Sequence, residues 1–307
     1  MTSPNRLRRS CLTVPAVSER ALAKAPELAA DMVIVDLEDA VPPAAKNDET
    51  RERAARALID QGWRANTLAV RMNGLATEWW EADLKLVVER AAGRLDCVVM
   101  PKVERAADVQ LVDEALSSLE ATHRLDRQIG LEVQIESAHG LVEVERIAGS
   151  SGRLEALVFG PGDYAASLGI PQRSIGELVP EYPGDQWHYA RSRIAAAAHA
   201  FGLQPIDGPY GEIRDPDGLR DSARRARLLG FTGKWVVHPG QIETCNEIFS
   251  PTSRELEHAL GVLAALDGAA GSGEGAALHE GAMIDEASRR LAEAVIERAR
   301  AAGLEVM

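Results

Sequence analysis

Eight short apolar runs rich in β-branched residues recur along the 307-residue chain, and amphipathic stretches fill the intervals between them. The runs cover 10–14, 32–36, 67–71, 96–101, 129–135, 156–160, 203–206 and 234–238. Parallel strands covered by helices on their outer side leave this alternating pattern. Between the runs, Trp80, Leu84, Val87 and Ala91 fall three or four residues apart, as do Val109, Val112, Leu116 and Leu119, and Trp187, Ala190, Ile194, Ala198 and Phe201. Each set is one buried stripe of a helix. Eight strands with interleaved helices fit a closed TIM barrel better than an open doubly wound sheet. No G-x-G-x-x-G turn follows the first run to favour a dinucleotide. The expected class is α/β, a TIM (β/α)8 barrel with a C-terminal helical extension.

The pattern changes after His238, so residues 1–240 are expected to form the barrel and 241–307 the extension. Helices are expected over 241–249 and 253–266. The run 268–277, GAAGSGEGAA, reads as a flexible linker. Beyond it Ile284, Ala287, Leu291, Val295 and Ala299 make a last amphipathic stripe. A tail tethered in this way can fold over its own barrel or reach a neighbouring subunit.

Charge narrows the partners. A net charge of −13 and a pI near 5.1 argue against general affinity for nucleic acid or an anionic membrane, so an anionic ligand must be met by local cations. Cys11, Cys97 and Cys245 are odd in number and lack any metal or C-x-x-C spacing, which fits a reducing, cytoplasmic compartment. The apolar segment behind Arg6, Arg8 and Arg9 is far too short for a signal core or a membrane span, and a soluble chain without a leader is expected.

Active sites in this fold gather at the C-terminal ends of the strands. Those positions carry Glu38, Asp39, Arg71, Asn73, Lys102, Glu136, Asp163, Asp207 and His238. Charge is common where chains leave a core, and any one such residue is more often solvated than catalytic. Glu136 and Arg71 nevertheless end strongly apolar runs, where a charge needs a partner or a metal. Lys102 and His238 fit either reading. Glu136 and Asp163 come from consecutive strands, and two carboxylates completed by water and an oxygen-rich ligand suit a hard ion such as Mg²⁺, with Mn²⁺ as an alternative. The small residues Gly160, Pro161 and Gly162 before Asp163 would let backbone N–H groups approach a ligand oxygen. The planar fork of Arg71 suits a carboxylate. Metal and arginine together imply a small oxo- or hydroxy-acid.

These residues lie in the segments VIVDLEDAVPPAAK (33–46), VRMNG (70–74), VVMPKVE (98–104), EVQIESAHG (132–140), LVFGPGDYAASLG (157–169), QPIDGPYG (204–211), GFTGKWVVHPGQI (230–242) and EGAMID (280–285). As an ordered set they resemble the citrate lyase β-subunit-like CoA-ester lyases of the HpcH/HpaI aldolase superfamily, and among them the L-malyl-CoA/β-methylmalyl-CoA lyases most. The resemblance implies reversible Claisen-type cleavage of a 3-hydroxyacyl-CoA, with Glu136 and Asp163 on the metal and Arg71 on the keto-acid carboxylate, glyoxylate in the malyl case. It also implies a homo-oligomer, trimer or hexamer, in which Asp285 is supplied across a subunit interface for proton transfer. Otherwise Asp285 reads as an ordinary helix-start carboxylate. QIESAHG departs from the usual E-T-A-x-G run at Ser137 and His139 and leaves the glutamate intact. Arg20 and Lys24, four apart on the helix after the first strand, are candidates for the CoA phosphates or else a solvated helix face. Glu38 and Asp39 would hold metal-bound water and orient nearby cations, while Asp36 would have a structural partner in the barrel. A malyl-CoA thioesterase, a citrate or citramalyl-CoA lyase-type enzyme and a non-catalytic CoA-ester-binding module remain alternatives.

Overall fold

The computed structural model describes residues 6–60, 62–271 and 273–306. The strands β1 (Ser10–Pro15), β2 (Met32–Asp36), β3 (Thr67–Arg71), β4 (Cys97–Met100), β5 (Gly130–Ile135), β6 (Leu154–Phe159), β7 (Gln204–Asp207) and β8 (Gly233–Val236) pair in sequence order, all parallel, and β8 closes on β1. The connections carry α1 (Glu19–Lys24), α2 (Asp48–Asp60), α3 (Trp80–Ala91), α4 (Ala106–His123), α5 (Ala138–Val142), α6 (Val144–Ala148), α7 (Pro161–Leu168), α8 (His188–Ala200) and α9 (Pro216–Leu228). The chain is a TIM barrel. α10 (Ile242–Ile248), α11 (Ser253–Gly271), the antiparallel hairpin β9 (Ala277–His279) with β10 (Ala282–Ile284), and α12 (Glu286–Ala301) follow.

Strand periodicity of two decides which residues enter the lumen. Cys11, Met32, Ile34, Ala69, Cys97, Val99, Ala156, Val158, Ile206 and Trp235 form one buried cluster there. Two residues on from Ile34 and Ala69 stand Asp36 and Arg71, which are adjacent in the β2–β3 register. Glu132 pairs with Ala156 and Gln134 with Val158, so Glu132, Gln134 and then Glu136 share the same inward face. At the N-terminal end the barrel is plugged by buried Arg8, whose guanidinium binds Glu132 at 2.6 Å, Gln204 at 2.9 Å and Glu155.

The chain divides into two compact units, Met1–Asn246 and Glu247–Met307. The division falls inside α10 rather than at 240, because Ile242 and Cys245 of that helix are buried. In the second unit Ala259, Val262, Leu266, Ile284, Ala292 and Ile296 form a separate core. The segment 268–277 is not a continuous linker: α11 runs on to Gly271 and β9 begins at Ala277. Alanines between the glycines let the helix continue from the anchored stripe at Val262 and Leu266, although each helical glycine costs roughly 1 kcal/mol relative to alanine. Among the described residues no helix is long and apolar enough to cross a membrane.

Candidate active site

The mouth at the strand C-termini is organised by one buried ion pair. Asp36, fully buried, accepts from Arg71 Nε at 2.7 Å and from Nη2 at 2.5 Å. The loop that begins at Leu37 folds back on the same carboxylate, with the Glu38 and Ala40 N–H groups donating at 2.9 and 3.3 Å. Asp36 thus turns the strand end and fixes the guanidinium plane. The other edge of Arg71 has Nη1 beside Glu38 Oε2 at 3.1 Å and Gln134 Oε1 at 3.5 Å, and Trp235 lies 5.4 Å from the guanidinium. Its charge is strongly held: burial opposes it, but Asp36 and then Glu38 raise its pKa.

Glu38 is buried, accepts from Lys102 Nζ and, at 2.8 Å, from the N–H of Asp39, and pairs with the Arg71 charge at Nη1. Of the neighbouring carboxyls, burial raises the pKa of Glu38. Asp39 is more exposed and, against its partial burial, is held below its ordinary value by the bond to Glu38 and the charges of Lys102 and Arg71. Lys102 reaches both, lying 3.2 Å from Asp39. Its own burial works against the charge, but the bond to Glu38 and the charges of Glu38 and Asp39 raise its pKa. The residue sits in the left-handed region with φ 54°, a conformation costing a non-glycine residue about 1–2 kcal/mol. That turn brings the Lys102 N–H to Glu136 Oε1 at 2.7 Å.

Glu136 is 3% exposed and makes no ion pair among the described residues. Burial, and next the negative charge of Asp163, push its carboxyl up to about 8. Asp163, in the first turn of α7, is half-buried, and its charge is felt by Glu136 and Lys102 alike. An under-neutralised buried carboxylate beside a second one, both all-oxygen donors, fits a hard divalent ion. Zinc-type ligands are not part of this group.

The Gly160–Gly162 run works differently from a row of N–H donors. The Gly160 N–H donates to Ile135 O at 3.1 Å, and Pro161 has no N–H to offer. Gly160 instead provides clearance, since a Cβ there would collide with the Glu136 side chain. Only the first-turn N–H groups from Gly162 onward are left for an incoming oxygen.

Other strand-end residues are drawn away from the mouth. Asp207 is fully buried against Arg191 and Lys234, 2.9 and 2.5 Å away, on the side of β7 and β8 that faces the helix layer. His238 is exposed and caps the turn after β8, its Nδ1 accepting from Gly240 N–H at 3.1 Å. Asn73 is buried and tied to Asp83 and Leu37. Arg20 and Lys24 are exposed on α1 and make no ion pair among the described residues. In the second unit Asp285 is the N-cap of α12, its Oδ1 accepting from Ala287 N–H at 2.9 Å and Ser288 N–H at 3.3 Å. Gln134 and Trp235 were not singled out from sequence, although counting back by two from Glu136 puts Gln134 on the lumen face.

A family model described as HpcH/HpaI aldolase/citrate lyase matches residues 9–239. The chain is 39% identical over 294 residues to the L-malyl-CoA/β-methylmalyl-CoA lyase of Cereibacter sphaeroides, covering 93% of this chain and 91% of that one. It is 37% identical over 281 residues to a (3S)-malyl-CoA thioesterase of the same species, covering 90% of this chain and 89% of that one. Among solved structures, protein CitE of Mycobacterium tuberculosis in complex with magnesium, acetoacetate and coenzyme A superposes with a TM-score of 0.73 at 30% identity, covering 95% of this chain and 97% of that one.

Proposed function

Because the chain belongs to the HpcH/HpaI aldolase/citrate lyase family, we propose that it is a Mg²⁺-dependent CoA-ester lyase, cleaving L-malyl-CoA or β-methylmalyl-CoA reversibly to glyoxylate and acetyl-CoA or propionyl-CoA. It is a carbon–carbon lyase, and Mn²⁺ would serve the same oxygen donors. The observation that carries this reading is the buried, under-neutralised Glu136 carboxylate beside Asp163, at the mouth where Arg71 is fixed by Asp36.

Glu136 and Asp163 would hold the ion. When bound, it supplies Lewis acidity to the hydroxyl and carbonyl oxygens of the reacting centre. Arg71, locked on one edge by Asp36, offers its Nη edge to the keto-acid carboxylate. Glu38 and Asp39 keep Lys102 in place and, with it, the turn that delivers the Lys102 N–H to Glu136; they also supply acceptors for water at the mouth. In cleavage the substrate hydroxyl gives up its proton to water at the mouth, the C–C bond breaks, and its electron pair becomes the thioester enolate. The enolate carbon then takes a proton. Asp285, supplied by a neighbouring subunit of a trimer or hexamer, would deliver it and, in reverse, remove it from acetyl-CoA. Its Oδ1 bonds to the α12 N–H groups fix the carboxyl for that task. Arg20 and Lys24 would meet the CoA phosphates, and a cytoplasmic setting would supply CoA esters.

The condensation direction tests this. Glyoxylate and acetyl-CoA with Mg²⁺ should give malyl-CoA without release of free CoA. Malate and free CoA formed from L-malyl-CoA itself, with no condensation of glyoxylate and acetyl-CoA, would instead favour the thioesterase reading, which the similarity to the malyl-CoA thioesterase keeps open. No turnover of any CoA ester would favour a binding module.

A further inference from the structure

Two histidines and a glutamate converge within the second unit. His258 stands on α11, His279 ends β9, and Glu280 follows it in the hairpin turn. One nitrogen or oxygen atom from each lies within 4.8 Å of those of the other two. The imidazole centroids are 5.1 Å apart, and His258 Nδ1 is 2.9 Å from Glu280 Oε2.

Three features of the local fold set this group apart from chance surface residues. First, His279 Nε2 is buried and has no hydrogen-bond partner. An imidazole nitrogen shut away from both water and protein donors or acceptors is an uncompensated cost. Second, the His279 ring can lie against α11 only because residue 261 is glycine: a Cβ there would stand 2.5 Å from Cε1 and 2.8 Å from Nε2. Third, His279 pairs with Ala282, leaving Glu280 and Gly281 as a two-residue loop with φ of 50° and 80°. Asparagine or glycine is the low-energy choice at the first of these positions. Glutamate stands there nonetheless, with its carboxylate on His258.

We propose that His258, His279 and Glu280 form a binding site for a borderline divalent transition ion of the Zn²⁺ class, with a remaining position open to water. Two imidazole nitrogens and one carboxylate oxygen are a ligand set for zinc. Mg²⁺ prefers oxygen donors, so the group is chemically distinct from the Glu136–Asp163 pair. His258 Nδ1 and Glu280 Oε2 already lie 2.9 Å apart, and both side chains are exposed and free to adjust around an ion. An ion here would staple the β9–β10 turn to α11. Since β10 ends at Ile284, it would also fix the strand that leads into Asp285. The site itself stands independently of the lyase reading.

The test is equilibrium dialysis of the untagged full-length protein against Zn²⁺ in excess Mg²⁺, with bound zinc counted by atomic absorption. About one zinc ion per chain is expected in the wild type and in Glu136→Gln, and its loss in His258→Ala and His279→Ala. Co²⁺ in place of Zn²⁺ should give the visible absorption of a low-symmetry four- or five-coordinate ion in the wild type and not in His258→Ala. Glu280→Gly relieves the turn and keeps the fold, so it should bind zinc more weakly while melting no lower than the wild type without metal. Equal zinc content in all variants, or loss of zinc only in Glu136→Gln, would overturn the site.

Discussion

Replacing Glu136 by glutamine separates the cost of the site from its use. In the metal-free protein the carboxyl is pushed from its ordinary 4.5 to about 8, first by burial and then by Asp163. A group whose folded pKa is raised favours the folded state at low pH and loses that contribution as pH climbs through the folded value. The metal-free wild type should therefore lose stability between about pH 5 and pH 8 and level off above. At about 1.36 kcal/mol per pKa unit, this shift puts a ceiling of about 5 kcal/mol on the effect. Relaxation around the site brings it to a few kcal/mol, on the order of 5–10 °C in melting temperature. Glutamine keeps an acceptor for the Lys102 N–H and does not titrate. In EDTA at pH 9, Glu136→Gln should melt above the wild type, and at pH 5 the two should nearly coincide. Saturating Mg²⁺ should raise the wild type by about 3 kcal/mol at 100 times the dissociation constant and leave the variant unmoved. Paired thermal melts at both pH values, with and without Mg²⁺, read all four quantities. A variant less stable than the wild type in EDTA at pH 9, or a wild type indifferent to Mg²⁺, would refute the reasoning.

Four further outcomes are expected. Asp36→Asn leaves the Arg71 charge buried without its bidentate partner, so urea denaturation should show a loss of about 3–5 kcal/mol. Arg71→Lys keeps the charge and loses the planar fork; kcat/KM for the CoA ester should fall by about 100-fold or more, while circular dichroism stays unchanged. Gly160→Ala drives a methyl into Glu136, and calorimetry should show lost Mg²⁺ binding in a protein that still folds. Mixed oligomers of Asp285→Ala and Arg71→Ala subunits should recover part of the activity that each variant lacks alone, and proven mixed oligomers without recovery would place Asp285 in its own subunit's site.

The barrel was legible because its strands are buried on both faces, which writes each as a continuous apolar run. Glu136 and Asp163 could be singled out as candidates because strand ends in this fold point at one mouth. The Asp36–Arg71 pair was harder: Asp36 looks like any buried polar residue until the β2–β3 register sets it beside Arg71. Lys102 gave no sign of its backbone, since nothing in a lysine announces a left-handed φ. That Pro161 offers no N–H is legible in the sequence, whereas the use of the Gly160 N–H on Ile135 and the clearance Gly160 gives Glu136 are not. Nor is the helical continuation through Gly268, because the packing of Val262 and Leu266 that holds it is tertiary.

Product analysis of L-malyl-CoA turnover tests the central claim most directly. With Mg²⁺ the wild type is expected to release glyoxylate and acetyl-CoA in equal amounts, and EDTA, Glu136→Gln and Asp163→Asn should each abolish both products. Malate and free CoA as the products, or glyoxylate release that survives EDTA and both substitutions, would contradict it.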